Sequence, residues 1–438
     1  MMLSGKYWSL ALAILVIAFA LRVGLAVWWH GHLAQQGQRF AMGDSESYWF
    51  LAHTIAADEP YQYGSPDAAI FRTPVYPWFL SWFATPGERD SGLLAVRIAG
   101  CVLGTGAVAL MMLAALWTSK PATSLFCGLL AAVYPGGVIS SVLVLSEAPF
   151  MPLMVLNLLA LLGCERARSE KRAFGWAILA GLLAGLGILT RPSWLLFLPF
   201  YFACKCLLQY RQPLPAIQQA IVAGIALALT MSPWWFRNYQ LTGHFVLTTL
   251  QVGASLYDGF HPGATGGSDT GMAFSLEFGR QLRAEDAASP IPPGNFEYRL
   301  NQRLTSAALN WMIENPRRAF WLSGQKFLRT WWPWPAANDA PGGWTVRLIF
   351  ACSTYAILIP GLWIVVRRPQ VVIQLLPFIL PLVYFTLLHS IFVGSIRYRE
   401  PALFAFTLLA ASFYVGPRPS TTTEPENQDP EQAPLSPY

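Results

Sequence analysis

The chain has 438 residues, 54% of them hydrophobic and only 12% charged, with a mean hydropathy of +0.42. Soluble globular domains carry about a quarter charged residues, so this composition excludes an ordinary soluble enzyme and indicates a polytopic membrane protein. The net charge of +6 does not point to nucleic acid, because much of the basic excess falls in short loops between apolar runs, where positive charge sets topology.

Apolar runs lie near 8–29, 92–117, 122–139, 147–163, 174–190, 193–208, 214–232, 344–366, 371–393 and 401–416. Counted as spans of roughly 20 residues, they predict an all-α membrane protein of about 10 transmembrane helices. The first run, Trp8 to Trp29, is too long for a signal h-region and lacks a small-residue cleavage site, so it is expected to stay as a signal anchor. The stretch 122–163 is divided at Tyr134-Pro135-Gly136-Gly137, a turn signal, and counts as two spans.

Lys6, Lys120, Arg166, Arg168, Lys171, Arg172, Lys205, Arg211, Arg367 and Arg368 then fall on one side, which the positive-inside rule makes cytoplasmic. The other side receives outer loop 1, about 30–91, and outer loop 2, about 233–343. In loop 1 the spacing of Tyr48, Leu51, Ala52, Ile55 and Ala56 predicts a short helix over 45–57, and the aromatic stretch 77–83 predicts a second at the membrane surface. In loop 2 a Gly-rich opening, 253–271, leads into a helix marked by Leu300, Leu304, Ala307, Ala308, Trp311 and Met312 that stops at Asn315-Pro316. A further amphipathic run carries Phe320, Phe327 and Leu328, and Trp331-Trp332-Pro333-Trp334 reads as an interfacial anchor. Residues 1–416 form a single domain in this reading, and the Pro-, Thr- and Glu-rich tail 417–438 is expected to be a disordered cytoplasmic segment.

The six cysteines lie within or at the ends of apolar runs, so no disulfide framework is expected, and no spacing resembles a zinc site. No nucleotide-binding Gly motif is present. No cofactor is called for, and whether a divalent metal assists is left open.

The polar residues suited to chemistry gather on the outer side. Asp44, in Gly43-Asp44-Ser45-Glu46-Ser47-Tyr48, sits just beyond the first run, where it suits either a catalytic base or a helix N-cap. Arg72 is held in place by the two prolines that follow it in Phe71-Arg72-Thr73-Pro74-Val75-Tyr76-Pro77, which fix an extended, turned backbone. Glu147 lies at a span boundary, where an acid is expensive unless it is functional or paired with an arginine such as Arg97 or Arg22. Arg191, Arg237, Arg397 and Arg399 form an outer set able to bind an anionic head group, because guanidinium pairs bidentately with phosphate. Arg22 lies mid-span and is expected to pair inside the bundle, while His389 reads as a satisfied interior histidine near this set.

In order and placement these motifs resemble those of the GT-C membrane glycosyltransferases, in the branch of the protein O-mannosyltransferases and the bacterial aminoarabinose transferase. The resemblance runs over most of residues 8–410: Gly43-Asp44-Ser45 with Tyr48, Arg72 to Pro77, Ser146-Glu147, Thr190-Arg191-Pro192, Pro233 to Tyr239, Glu314-Asn315-Pro316, and Arg397 to Pro401. It implies a polyprenyl-phosphate-sugar donor, an extracytoplasmic active site in a cell (inner) membrane, and transfer to a hydroxyl on a glycan, lipid or protein acceptor. Asp44 would be the general base of an inverting displacement, with Tyr48, Arg72, Tyr76, Glu147, Arg191, Arg237, Arg397 and Arg399 around the substrates. The protein mannosyltransferases carry adjacent Asp-Glu where this chain has Asp44-Ser45, which favours a bacterial-type enzyme over a protein acceptor. The alternative is a transporter or flippase for a lipid-linked sugar, which predicts internal repeats and midplane ionisable residues.

Overall fold

A computed structural model describes residues 3–268, 274–289, 294–335 and 343–415. The expected tail 417–438 lies outside the described residues. Among the described residues the structure is helical, with no strand beyond a single bridge between Thr85 and Glu88. The first half contains α1 (Gly5–Gln35), α2 (Gly43–Ala56), α3 (Val75–Ser81), α4 (Leu93–Thr118), α5 (Pro121–Val133), α6 (Pro135–Val142), α7 (Glu147–Arg166), α8 (Glu170–Thr190) and α9 (Phe197–Leu208). The second half contains α10 (Leu214–Thr242), α11 (Val252–Gly259), α12 (Phe274–Ala287), α13 (Phe296–Glu314), α14 (Pro316–Trp331), α15 (Gly343–Arg367), α16 (Pro369–Gln374), α17 (Leu376–Ile391) and α18 (Glu400–Val415).

All ten apolar runs are helical, but fewer are full spans. Six helices, α1, α4, α7, α8, α10 and α15, are long and apolar enough to cross a membrane, and the bent pair α5–α6 makes up to seven. Prolines account for the shortfall. Pro192 separates α9 from α8, Pro377 starts α17, and Pro401 lies in the first turn of the 16-residue α18. Proline suits the first turn of a helix and ends the one before it.

The most buried span is α7, packed against α4 and α8, while α8 in turn packs closely on α10. The α8–α10 approach depends on Gly181, where an added Cβ would meet the Ala223 carbonyl at 2.1 Å. Small residues at such crossings are the usual means of packing helices in lipid. Within α7, Asn157 is fully buried and satisfied, donating to the Ala180 carbonyl at 2.7 Å and accepting from Trp194 Nε1 at 3.2 Å. On the outside, Leu12, Val16, Leu229 and Ile359 are more than half exposed, as a lipid-facing surface requires.

The division of 122–163 proves double. A bend of 56° separates α5 from α6 at Tyr134, and a second break at 143–146 precedes α7. The first break follows from Pro135, which pushes Tyr134 out of the helical region to ψ 114°. It also strands carbonyls, because Pro135 has no N–H to give to Ala131. The buried Arg22 of α1 repairs this, donating to the carbonyls of Ala131 at 3.4 Å and Ala132 at 3.1 Å. Unsatisfied backbone is not tolerated at membrane depth, so the mid-span arginine does the work of the missing ladder bonds.

The two segments expected as outer loops form layers over one end of the bundle. α2 packs on α3, and α11 to α14 build a second helical layer. The α13–α14 break falls at Asn315, as the sequence predicts. α14, however, does not pack by its aromatic face: Phe320 is 84% exposed, with Phe327 and Leu328 also exposed, while Ala319, Leu322, Lys326 and Thr330 are buried. An interfacial helix can leave its aromatic face for lipid when the opposite face finds specific partners. Here Lys326 Nζ donates to the Ile391 carbonyl at 2.6 Å and lies over the Phe260 ring, pinning α14 to the end of α17.

α6 approaches α18 through Gly136. A Cβ there would lie 1.5 Å from Glu400 Oε2, the oxygen that accepts the Tyr134 hydroxyl. Gly136→Ala is therefore expected to overpack this junction and cost about 1–3 kcal/mol or more, read as a lower unfolding temperature of the purified protein in detergent.

Candidate active site

The first turn of α2 delivers Asp44. The helix starts at Gly43 and no side chain caps it, so Asp44 is not the N-cap that its type allowed. It points instead to two arginines from distant segments. Asp44 Oδ1 accepts from Arg72 Nη2 at 2.7 Å and Oδ2 from Arg397 Nη1 at 3.2 Å. Glu46 turns elsewhere, 3.9 Å from Arg39.

Arg397 is itself bridged. Its Nε and Nη2 donate to the two oxygens of Glu147, the first residue of α7. Glu147 Oε1 also accepts from Arg191 Nη1 at 2.8 Å, at the junction of α8 and the turn 192–194. The partners of Glu147 are therefore Arg191 and Arg397, and neither Arg97 nor Arg22 as the sequence had suggested. Arg97 goes to His30 Nδ1 and the Arg39 carbonyl. The result is a line of alternating charges, Arg72–Asp44–Arg397–Glu147–Arg191.

Its members differ in access. The Glu147 side chain is 1% exposed and that of Arg191 8%, whereas Asp44 is 40% exposed with Arg72 and Arg397 near 20%. Asp44 is thus the carboxylate a substrate can reach, and Glu147 is the buried anchor of two guanidiniums. Burial opposes the Asp44 charge, but Arg72 and Arg397 outweigh it and hold the carboxyl below its usual value. Its place in the first turn of a helix favours the anion further.

Aromatic rings set the floor. Tyr48 and Tyr76 are buried edge to face at 5.1 Å, and the Arg72 guanidinium lies 4.9 Å from the Tyr48 ring. Tyr398 lies against both Arg191 and Arg397 and stacks on His389 at 4.0 Å, whose Nδ1 donates to the Val393 carbonyl.

Two of the expected residues lie elsewhere. Arg399 is 1% exposed and donates to the Thr330 and Trp332 carbonyls at 3.0 and 2.6 Å, closing the C-terminal end of α14. Arg237 donates to the Tyr61 carbonyl at 2.9 Å and stacks on Tyr61 and Trp234. It touches the charge line only through Tyr61, whose hydroxyl donates to the carbonyls of Arg72 and Thr73.

Sequence reasoning missed Ser47 and Glu297. Ser47 Oγ accepts from Arg72 Nε at 2.9 Å, and its place within the Asp44 motif was the available signal. Glu297, in the first turn of α13, is buried and accepts the Ile70 N–H at 2.9 Å, so outer loop 2 fixes the segment that carries Arg72. Nothing local marks it. Burial pushes its carboxyl up to about 7. Asp44 and Glu147 are bridged by Arg397, and among the described residues no three His, Cys, Asp or Glu converge. These donors do not fit a divalent-metal site.

This all-helical scaffold shares its fold with solved oligosaccharyltransferase structures. Residues 79–249 match the family described as dolichyl-phosphate-mannose-protein mannosyltransferase, a stretch that contains Glu147 and Arg191 but not Asp44, Arg72 or Arg397. The archaeal oligosaccharyltransferase AglB from Archaeoglobus fulgidus, solved with an inhibitory peptide and a dolichol-phosphate, superimposes with a TM-score of 0.55 at 14% identity over 92% of this chain. Its apo form gives 0.55 over 93%. The chain spans about 50% of the length of these structures. ArnT from Cupriavidus metallidurans, bound to undecaprenyl phosphate, gives 0.42 at 11% identity over 94% of this chain and 77% of that one. No curated protein matches the chain in sequence.

Two outcomes follow from this geometry. Glu147→Gln leaves the buried Arg191 without its anion, takes from Arg397 one of its two, and should cost about 3–5 kcal/mol, seen as a large fall in unfolding temperature, while substitutions at the more exposed Asp44 cost far less. The fold raises the Glu297 pKa, so it binds a proton that the unfolded chain has already released. Stability then falls as pH rises from the ordinary glutamate range to about 7. Glu297→Gln should flatten the pH dependence of the unfolding temperature across that window.

Proposed function

We propose that this protein transfers a sugar from a polyprenyl-phosphate-linked donor to a hydroxyl acceptor, in a multi-pass cell-membrane enzyme that works on the extracytoplasmic face. The observation that carries this reading is the accessible Asp44 held between Arg72 and Arg397, backed by the buried Glu147–Arg191 pair. Three arginines against two carboxylates leave this line one positive charge in surplus. A sugar–phosphate diester carries one negative charge and fits that surplus.

The donor phosphate competes with Asp44 for Arg72 and Arg397, since guanidinium takes phosphate bidentately. Arg191 holds Glu147, and Glu147 keeps Arg397 in place beneath the phosphate. Tyr48 and Tyr76 line the floor under Arg72, while Arg237, through Tyr61, and Arg399, through α14, support the surrounding loops. As its arginines turn to the phosphate, Asp44 regains basicity. The acceptor oxygen then attacks the anomeric carbon, its proton passes to Asp44, and the bond from carbon to phosphate oxygen breaks. The phosphate keeps the electron pair, stabilised by the guanidiniums. A carboxylate is a weak base, so proton transfer accompanies bond formation, and one-step displacement inverts the anomeric centre. The two outer loops cover the reacting centre and limit hydrolysis.

The test is Asp44→Asn in a reconstituted assay with labelled polyprenyl-phosphate sugar. We expect transfer to fall by about 10²-fold or more, with an unfolding temperature within a few degrees of the parent. Transfer at the parent rate by a folded variant removes Asp44 from the reaction. Flipping of the intact donor with no label reaching any acceptor would instead establish the transporter reading.

A further inference from the structure

Ile70, two residues before Arg72, is fully buried, and both of its backbone groups are taken by the part of the chain beyond α10. Its N–H donates to Glu297 Oε2 at 2.9 Å, and its carbonyl accepts from the Leu250 N–H at 3.1 Å. We propose that Glu297 is a positioning residue: by holding the Ile70 N–H it sets where Arg72 stands, and so sets the affinity of the site for a lipid phosphate. This rests on the reading of Arg72 as a phosphate ligand and adds the group that keeps it in place.

The two holds on Ile70 belong to one body. Leu250 leads into α11, which packs closely on α13, and the Gly253 N–H donates to Asn301 Oδ1 at 2.8 Å. A Cβ at Gly253 would lie 2.2 Å from the Asn301 carbonyl, so the two helices meet backbone to backbone there. Asn295 caps α13 by accepting the Tyr298 N–H at 2.9 Å, which places Glu297 in the first turn. On the other side of Ile70, the Arg72 side chain goes to Ser47 and Asp44, and the Tyr61 hydroxyl holds the carbonyls of Arg72 and Thr73. Two residues of chain span at most about 7 Å even when extended. A shift of Ile70 is therefore carried to Arg72 with little slack.

The hold also responds to protonation. Glu297 is buried, and burial raises its carboxyl to about 7. The charged groups that face it are Arg237 of α10 and Asp67 of the short turn Pro66–Ala68, the latter paired with Arg283 of α12 at 2.7 Å. His244 stacks on the neighbouring Tyr298 at 3.9 Å. When the segment comes away, Glu297 meets water and returns to the ordinary glutamate range. The docked state thus binds the proton more tightly. It is favoured at low pH and weakens as pH rises from that range to about 7.

The experiment has two arms, both on the full chain in nanodiscs. In the first, hydrogen exchange at the Ile70 amide is followed by mass spectrometry from about pH 5 to about pH 8 and divided by the rate of an unstructured peptide. The opening constant of the parent should rise by more than about tenfold across that range. Glu297→Gln leaves Arg237, Asp67 and His244 in place and should be flat within about threefold. Glu297→Leu removes the acceptor and should speed exchange by about tenfold at the acid end. In the second arm, undecaprenyl phosphate is titrated against each protein. Glu297→Leu and Arg72→Gln should each weaken its binding by about tenfold. The double variant should bind no worse than the weaker single one, because both changes act through Arg72. Parent-like exchange or parent-like affinity in Glu297→Leu, a pH dependence that persists in Glu297→Gln, or additive losses in the double variant overturns the proposal. The exchange arm needs no turnover, so its failure counts against Glu297 alone, while absence of sugar transfer by the parent counts against the reaction.

Discussion

The line of charges from Arg72 through Asp44, Arg397 and Glu147 to Arg191 is the constraint on which the rest of this end of the molecule depends. It joins the first turn of α2, the segment before α3, the turn before α18, and the facing ends of α7 and α8. Asp44 and Arg397 alone are 353 residues apart in sequence. A buried ion left without its partner is far more costly than a surface one. The buried Glu147 therefore requires Arg191 and Arg397, and the segments that supply them must arrive together. Exposure is graded along the line, so the buried half acts as foundation and the open half as the reactive edge.

The backbone around this line is unusually interrupted, and each interruption is repaired. Pro135 bends the α5–α6 pair, and Arg22 supplies the donors that its carbonyls lose. The end of α14 gives its carbonyls to Arg399, and Lys326 ties the same helix to α17. Arginine and lysine within or beside spans thus have two separate jobs here. Some close the ends of broken helices, and others stand at the charge line. Position in the sequence does not tell these jobs apart, which is why Arg399 and Arg397, two residues apart, serve different ends.

Much of the fold was legible because bilayer burial imposes a simple pattern. Every apolar run became a helix, and the Asn315-Pro316 stop fell between α13 and α14. Lengths were less legible, because prolines shortened three of the runs below a full span. The packing face of α14 was also hidden: an aromatic stripe normally marks the buried side, but lipid can take that stripe and leave the polar face to pack. In the site, Asp44, Glu147, Arg191 and Arg397 were singled out by charge placed near apolar sequence, and Arg72 by the prolines that follow it. Glu297 was not, because an acid in the first turn of a helix reads as ordinary dipole compensation until its neighbour in space is known.

The sequence by itself determined the class of architecture and the short list of ionisable residues that border the apolar runs, since hydropathy and the cost of charge in lipid are properties of local composition. Only the tertiary structure decided which acid met which arginine, that Asp44 is a reachable carboxylate and no helix cap, and that Glu147 lies sealed beneath it. Those outcomes rest on distances in space between segments 28 to 353 residues apart in the chain, and Coulomb attraction and burial depend on those distances, with no trace of them in the order of the chain.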